Sequence, residues 1–110
     1  MPIAMRTVTL REEHSGKDSR YLTARIDSDH SLVIEGQDFG PATGPMSSDG
    51  EYEWSSTFEP TQIPRLLVLL HASPDANILD VLEENWTGKA SYELEDIIRA
   101  SGILVEFSSY

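Results

Sequence analysis

Cysteine is missing from this 110-residue chain, which excludes disulfide frameworks, thiolate metal sites and cysteine nucleophiles. Long apolar runs are missing too. The longest, Leu66 to Leu70, is far short of the roughly 20 residues that span a bilayer. The segment Met1-Pro2-Ile3-Ala4-Met5-Arg6 holds no signal-peptide core, so a cytoplasmic protein is expected. Basic residues are scarce, 8 against 19 acidic ones, for a net charge of −11. The imbalance is uneven: residues 1–48 hold 7 acids and 5 bases, whereas residues 49–110 hold 12 acids and 3 bases. A field of that sign repels nucleic acid and anionic lipid, keeps a protein soluble, and favours a cationic partner.

Several familiar chemistries are absent as well. His14, His30 and His71 fall in different segments, and none has a second histidine at metal-ligand spacing. Gly36, Gly40 and Gly44 are spaced by four, unlike a dinucleotide fingerprint. Asp38-Phe39-Gly40 matches the kinase metal-binding tripeptide, but no glycine-rich strand loop or catalytic loop accompanies it. No Gly-x-Ser-x-Gly elbow is present. Glu51 and Glu53 would stand about 7 Å apart on one strand face, a spacing compatible with a glycosidase pair. Without a sugar cleft they read as solvated acids. The chain therefore offers no cofactor motif, no metal site and no catalytic set.

What is present is an architecture. At this length one core can bury roughly two-thirds of the unfolded surface, and 39% apolar content with three Phe, four Tyr and two Trp supplies the bulk. Period-two alternation predicts strands. In Thr7–Arg11, Val8 and Leu10 point inward, with Thr7, Thr9 and Arg11 outward. In Tyr21–Asp27, Leu22, Ala24 and Ile26 point inward, with Tyr21, Thr23, Arg25 and Asp27 outward. In Ser31–Gln37, Leu32 and Ile34 point inward, with Val33 and Glu35 outward. Glu12–Ser19 reads as a polar turn region, and Ser28-Asp29-His30 as turn chemistry. Residues 36–50 hold four of the seven glycines and two of the six prolines, a density that predicts a long loop without strand or helix. Glu51–Phe58 alternates again, with Tyr52, Trp54 and Phe58 on one face.

The spacing then becomes helical. Ile63, Leu66, Leu67 and Leu70 share a face, with Pro64 in the first turn. Ile78, Leu79, Leu82 and Trp86 form a second stripe, ended by Thr87-Gly88-Lys89. Ser91 is expected to cap a third helix with Leu94, Ile97 and Ile98 on its buried side. Its Glu93, Glu95 and Asp96 come early and Arg99 late, an order that complements the helix dipole. Gly102 suits the left-handed position after it, with Ile103 folding back onto the last turn. Leu104–Ser108 is expected to be a closing strand with Val105 and Phe107 inward. The order β-β-β-β-α-α-α-β predicts one α+β domain, a largely antiparallel sheet with helices packed on one face.

For function, the polar sheet face and the acidic helices are the candidates. We expect partner contacts from Tyr21, Arg25, Asp38, Phe39, Glu51, Glu53, Glu83 and Glu84, where aromatic anchors in an acidic rim would suit a basic protein partner. The oligomeric state is not legible, although an open sheet edge at Thr7–Arg11 would allow copies to pair strand to strand. A regulatory protein-interaction domain, or a small hydrolase or ligand-binding module using the 36–50 loop as a lid, are the alternatives.

The stretches Gly36-Gln-Asp-Phe-Gly-Pro, Gly50-Glu-Tyr-Glu-Trp, Trp86-Thr-Gly and Leu94-Glu-Asp-Ile-Ile-Arg-Ala-Ser-Gly-Ile-Leu-Val-Glu-Phe resemble small acidic proteins common in actinobacteria. The likeness covers roughly residues 20–110. That group carries no assigned enzymatic activity, so the resemblance transfers no catalytic residues. In size and charge, rather than by a motif, the chain also resembles immunity proteins of contact-dependent or polymorphic toxin systems. That likeness implies a protein that neutralises a toxin by covering its basic active site.

Overall fold

The alternation of Val8 and Leu10 does place both side chains in the core, but the strand that carries them is longer and less regular than its sequence suggests. The computed structural model describes residues 6–16, 18–39, 51–102 and 106–109. Strand β1 spans Thr7–Ser15 and β2 spans Asp18–Ile26. The expected turn region at 12–19 is therefore mostly strand, closing at Gly16 with φ +61°, a left-handed conformation that favours glycine. Strand β3 spans Leu32–Phe39, β4 spans Glu51–Phe58 and β5 spans Glu106–Ser109. They form one antiparallel sheet in chain order, β1-β2-β3-β4-β5.

A β-bulge in β1 decides what lies on each face. Thr9 pairs with Thr23, and the next paired residue is Arg11, opposite Leu22. One extra residue thus enters β1, and the inside–outside alternation slips by one position. Leu10 and Arg11 are both buried, at 1% and 4% exposure. The expectation of an outward Arg11 is corrected: strict alternation holds only as far as the bulge.

Glycine 36 was expected to open the long loop, yet β3 continues through Gly36, Gln37, Asp38 and Phe39. Gly36 pairs with both Leu22 and Trp54. A Cβ built at Gly36 would overlap the Trp54 indole, so the glycine admits a ring that a side chain would exclude. Aromatic cover of this kind compensates for the missing side chain and keeps the strand paired. Residues 40–50, the rest of the expected loop, lie outside the described residues.

The hairpin between β2 and β3 turns on Asp27, whose carboxylate accepts the Asp29 and Ser31 amides, each at 2.9 Å. His30 takes φ +64° there. After β4, a single 3-10 turn at Pro60–Gln62 leads into helix α1, Ile63–Leu69, with Pro64 in its first turn as expected. The α1 terminus is a Schellman arrangement: Ala72 donates to Leu67 and His71 to Val68. Its left-handed residue is His71, at φ +63°. Helix α2, Ile78–Asn85, is capped by Asn77, whose side chain accepts from Leu79 and Asp80.

Helix α3, Ala90–Ser101, begins after Lys89. The expected cap, Ser91, instead lies inside the first turn. It is fully buried, and its hydroxyl donates to the Gly88 carbonyl at 2.6 Å. Gly102 ends α3 at φ +71°, as expected. Ile103, Leu104 and Val105 fall outside the described residues, and the described part of the expected closing strand is β5, Glu106–Ser109.

Val8, Leu10, Leu22, Ala24, Leu32, Ile34 and Phe58 of the sheet join Leu66, Leu67, Leu70, Ile78, Leu79, Leu82 and Leu94 of the helices in one cluster. The helices thus cover one face of the sheet, giving the expected α+β architecture. No helix among the described residues is long and apolar enough to cross a membrane. The edge strand β1 is partly closed to further pairing, because the Leu10 carbonyl accepts the Gly88 amide at 2.8 Å beside the bulge. A bulge and an inward charge both discourage strand addition, which counts against the pairing that an open edge at Thr7–Arg11 would allow.

Candidate binding surfaces

On the sheet face away from the helices, strand register assembles a row of rings. Tyr21 sits opposite Glu12 and Gln37, so His14 and Phe39 become its diagonal neighbours. The His14 and Tyr21 centroids are 5.6 Å apart, and those of Tyr21 and Phe39 are 6.0 Å apart, both edge-to-face. That geometry sets the positive edge of one ring against the negative face of the next. His14 is further tied to Ser19, with Nδ1 3.1 Å from the hydroxyl.

Charged groups flank this row. Arg25 donates to Glu35 from Nε at 3.0 Å and reaches the same oxygen from its terminal nitrogen at 2.9 Å. Gln37 donates to Glu53 at 3.2 Å. Val33, at the centre of β3 with Arg25 and Thr57 on either side, is only 7% exposed. With Glu12, Glu35 and Glu53 against Arg25, the described charges of this face are predominantly acidic.

Four of the anticipated contact residues, Tyr21, Arg25, Phe39 and Glu53, therefore share one surface, and Glu51 holds the register position opposite Phe39. The other three lie elsewhere. Glu83 and Glu84 are exposed on α2, where Arg6 pairs with Asp80 at 2.5 Å and with Glu83 at 3.2 Å. The Asp80 bond is the main reason the Arg6 pKa is raised.

Asp38 alternates to the opposite face of the sheet, where it meets a network that sequence reasoning missed. Arg11 donates to the Ser91 hydroxyl at 3.0 Å and to Glu95 at 2.6 Å, and its guanidinium lies 3.6 Å from the centre of the Tyr92 ring. The Tyr92 hydroxyl donates to Glu13 at 2.5 Å. Arg20 joins through Tyr92 and the Asp38 charge, both of which raise its pKa. Burial is the main cause of the raised Tyr92 pKa, followed by its bond to Glu13.

Asp38 has one carboxylate oxygen buried without a hydrogen-bond partner. Burial pushes its pKa above the usual carboxylate value, and attraction to Arg20 and Arg11 only partly opposes this. The network fastens α3 to β1 and β2 at the end of the sheet beyond the apolar core. Its only trace in the sequence is a run of ordinary charged residues, because Arg11 and Glu95 meet across 84 positions. Among the described residues, no three His, Asp or Glu side chains are grouped to hold a metal ion.

Comparison with protein-family models, with curated proteins and with solved structures finds no match to this chain, so its function is argued from these surfaces alone.

Proposed function

We propose that the chain is a protein-binding domain whose sheet face opposite the described helices engages a basic protein partner, in the manner of an immunity protein that covers the cationic active-site cleft of a toxin. The observation that carries this reading is the His14–Tyr21–Phe39 row on a sheet face that bears no helix among the described residues, rimmed by Glu12, Glu35 and Glu53. Aromatic rings supply contact area at little cost in side-chain entropy. The acidic rim and the net charge of −11 steer a cationic surface into encounter. A nuclease cleft is cationic because its substrate is a polyanion, so it has the required complementarity.

The test is binding of the purified chain to a basic toxin domain encoded beside it, measured at several salt concentrations. The association rate should fall steeply as salt rises. A Tyr21→Ala, Phe39→Ala double variant should lose binding while staying folded at the assay temperature by circular dichroism, with a stability cost of about 1–3 kcal/mol for the lost ring contacts. Unchanged affinity in that folded variant would refute the sheet face as the interface, and failure to bind or neutralise any neighbouring toxin would refute the immunity role.

A further inference from the structure

The helix layer carries a second surface of opposite character. Pro64, Arg65, Val68 and Leu69 of α1, Pro74 of the following turn and Ser101 at the end of α3 line a groove of about 420 Å³. Val68 is 56% exposed and Leu69 37%. The remaining large exposed apolar side chain among the described residues, Tyr92, is already occupied by Arg11 and Glu13. Among the described residues, the large exposed apolar side chains left without a role are thus concentrated at this groove.

Its charge is the more informative feature. Arg6, Arg11, Arg25 and Arg99 each bridge to a carboxylate, and Arg20 is attracted to Asp38. Arg65 has no carboxylate partner among the described residues, although the chain holds 19 acids against 8 bases. A guanidinium left open beside an apolar groove is complementary to a carboxylate flanked by hydrophobic side chains. A second copy of the chain is the poorer occupant, since it brings a full net charge of −11 against the same charge, whereas a short acidic segment brings only a few carboxylates.

We propose that the α1 groove docks an amphipathic segment of a partner protein, with leucine-type side chains against Val68 and Leu69 and a carboxylate on Arg65. This surface is separate from the sheet face, and its chemistry is the reverse: here the chain receives an acidic ligand against its own net charge. Binding of an acidic peptide to so acidic a protein therefore cannot come from the general field.

The probe is an acetylated, amidated helical peptide with leucines on one face and glutamates on the other, titrated into the ¹⁵N-labelled chain. Matched peptides carry glutamine or lysine in place of glutamate. The glutamate peptide should shift the Arg65, Val68 and Leu69 amide resonances saturably. Arg65→Gln should weaken it by about two- to fivefold, the range of an exposed ion pair, and should erase its advantage over the glutamine peptide. Val68→Asp, at an exposed position, should abolish binding with the fold intact. The proposal is overturned if no peptide shifts these resonances, or if the lysine peptide binds the groove as well as the glutamate one. It is equally overturned if concentration-dependent self-association broadens them, since the occupant would then be a second copy.

Discussion

Replacing Arg11 with alanine should be among the most damaging single changes at a charged residue of this protein. The Arg11 side chain is only 3% exposed and its partner Glu95 is 23% exposed. Truncation removes a stacked cation–π contact worth about 1 kcal/mol and a charge-assisted hydrogen bond worth about 2 kcal/mol. It also takes a donor from the buried Ser91 hydroxyl. Because Glu95 keeps some contact with water, the loss should fall at the low end of the range for breaking a buried ion pair, about 3 kcal/mol.

Against the roughly 5–15 kcal/mol that holds a domain folded, a 3 kcal/mol loss lowers the melting temperature by roughly 12 °C. The assay is urea unfolding followed by circular dichroism, with Arg11→Met as a volume-keeping control and Arg11→Met/Glu95→Gln closing a double-mutant cycle. Without the bulge, alternation would put Arg11 in water, where its replacement changes stability by less than about 0.5 kcal/mol. A loss that small in Arg11→Ala, or no coupling between Arg11 and Glu95, would refute the inward placement.

Gly36→Ala should destabilise by about 1–3 kcal/mol because the new methyl overlaps the Trp54 indole; a denaturation midpoint equal to wild type would show that the ring can move aside. Asn77→Ala should cost about 1 kcal/mol by freeing the Leu79 and Asp80 amides, measured by chemical denaturation. Asp38→Asn tests linkage. The folded state raises the Asp38 pKa above its ordinary 3.8, so the neutral form is the one the fold favours. That contribution is complete below pH 3.8 and is lost as pH rises through the raised value. The asparagine variant should therefore gain stability over wild type at neutral pH, and its advantage should shrink on acidification. A difference that grows as pH falls would contradict the sign.

Much of the architecture was legible because it rests on local rules. Period-two alternation in Leu22, Ala24, Leu32 and Ile34, helical spacing in Leu66, Leu67, Ile78 and Leu82, Pro64 in a first turn and Gly102 after a last one each report their own element. The element order then leaves few ways to bury both apolar faces together. Tyr21, Arg25 and Glu35 were legible as an outward set for the same reason.

What the sequence could not show depends on residues far apart in the chain. One inserted residue in β1 has no compositional mark, yet it turns Arg11 from water to Ser91, Tyr92 and Glu95. Gly36 looks like loop punctuation until Trp54 lies across it. Alternation along β3 separates the neighbours Asp38 and Phe39 onto opposite faces, so the candidate residues divide among the open sheet face, the Arg20 network and α2. The sequence alone determined the order of strands and helices, because that follows from side-chain periodicity, but not their bounds: residues 12–15, 18–19 and 36–39, read as turn and loop, are strand. Tertiary structure alone decided which charges were buried, paired or left free, because those fates depend on register and on contacts across 80 residues and more.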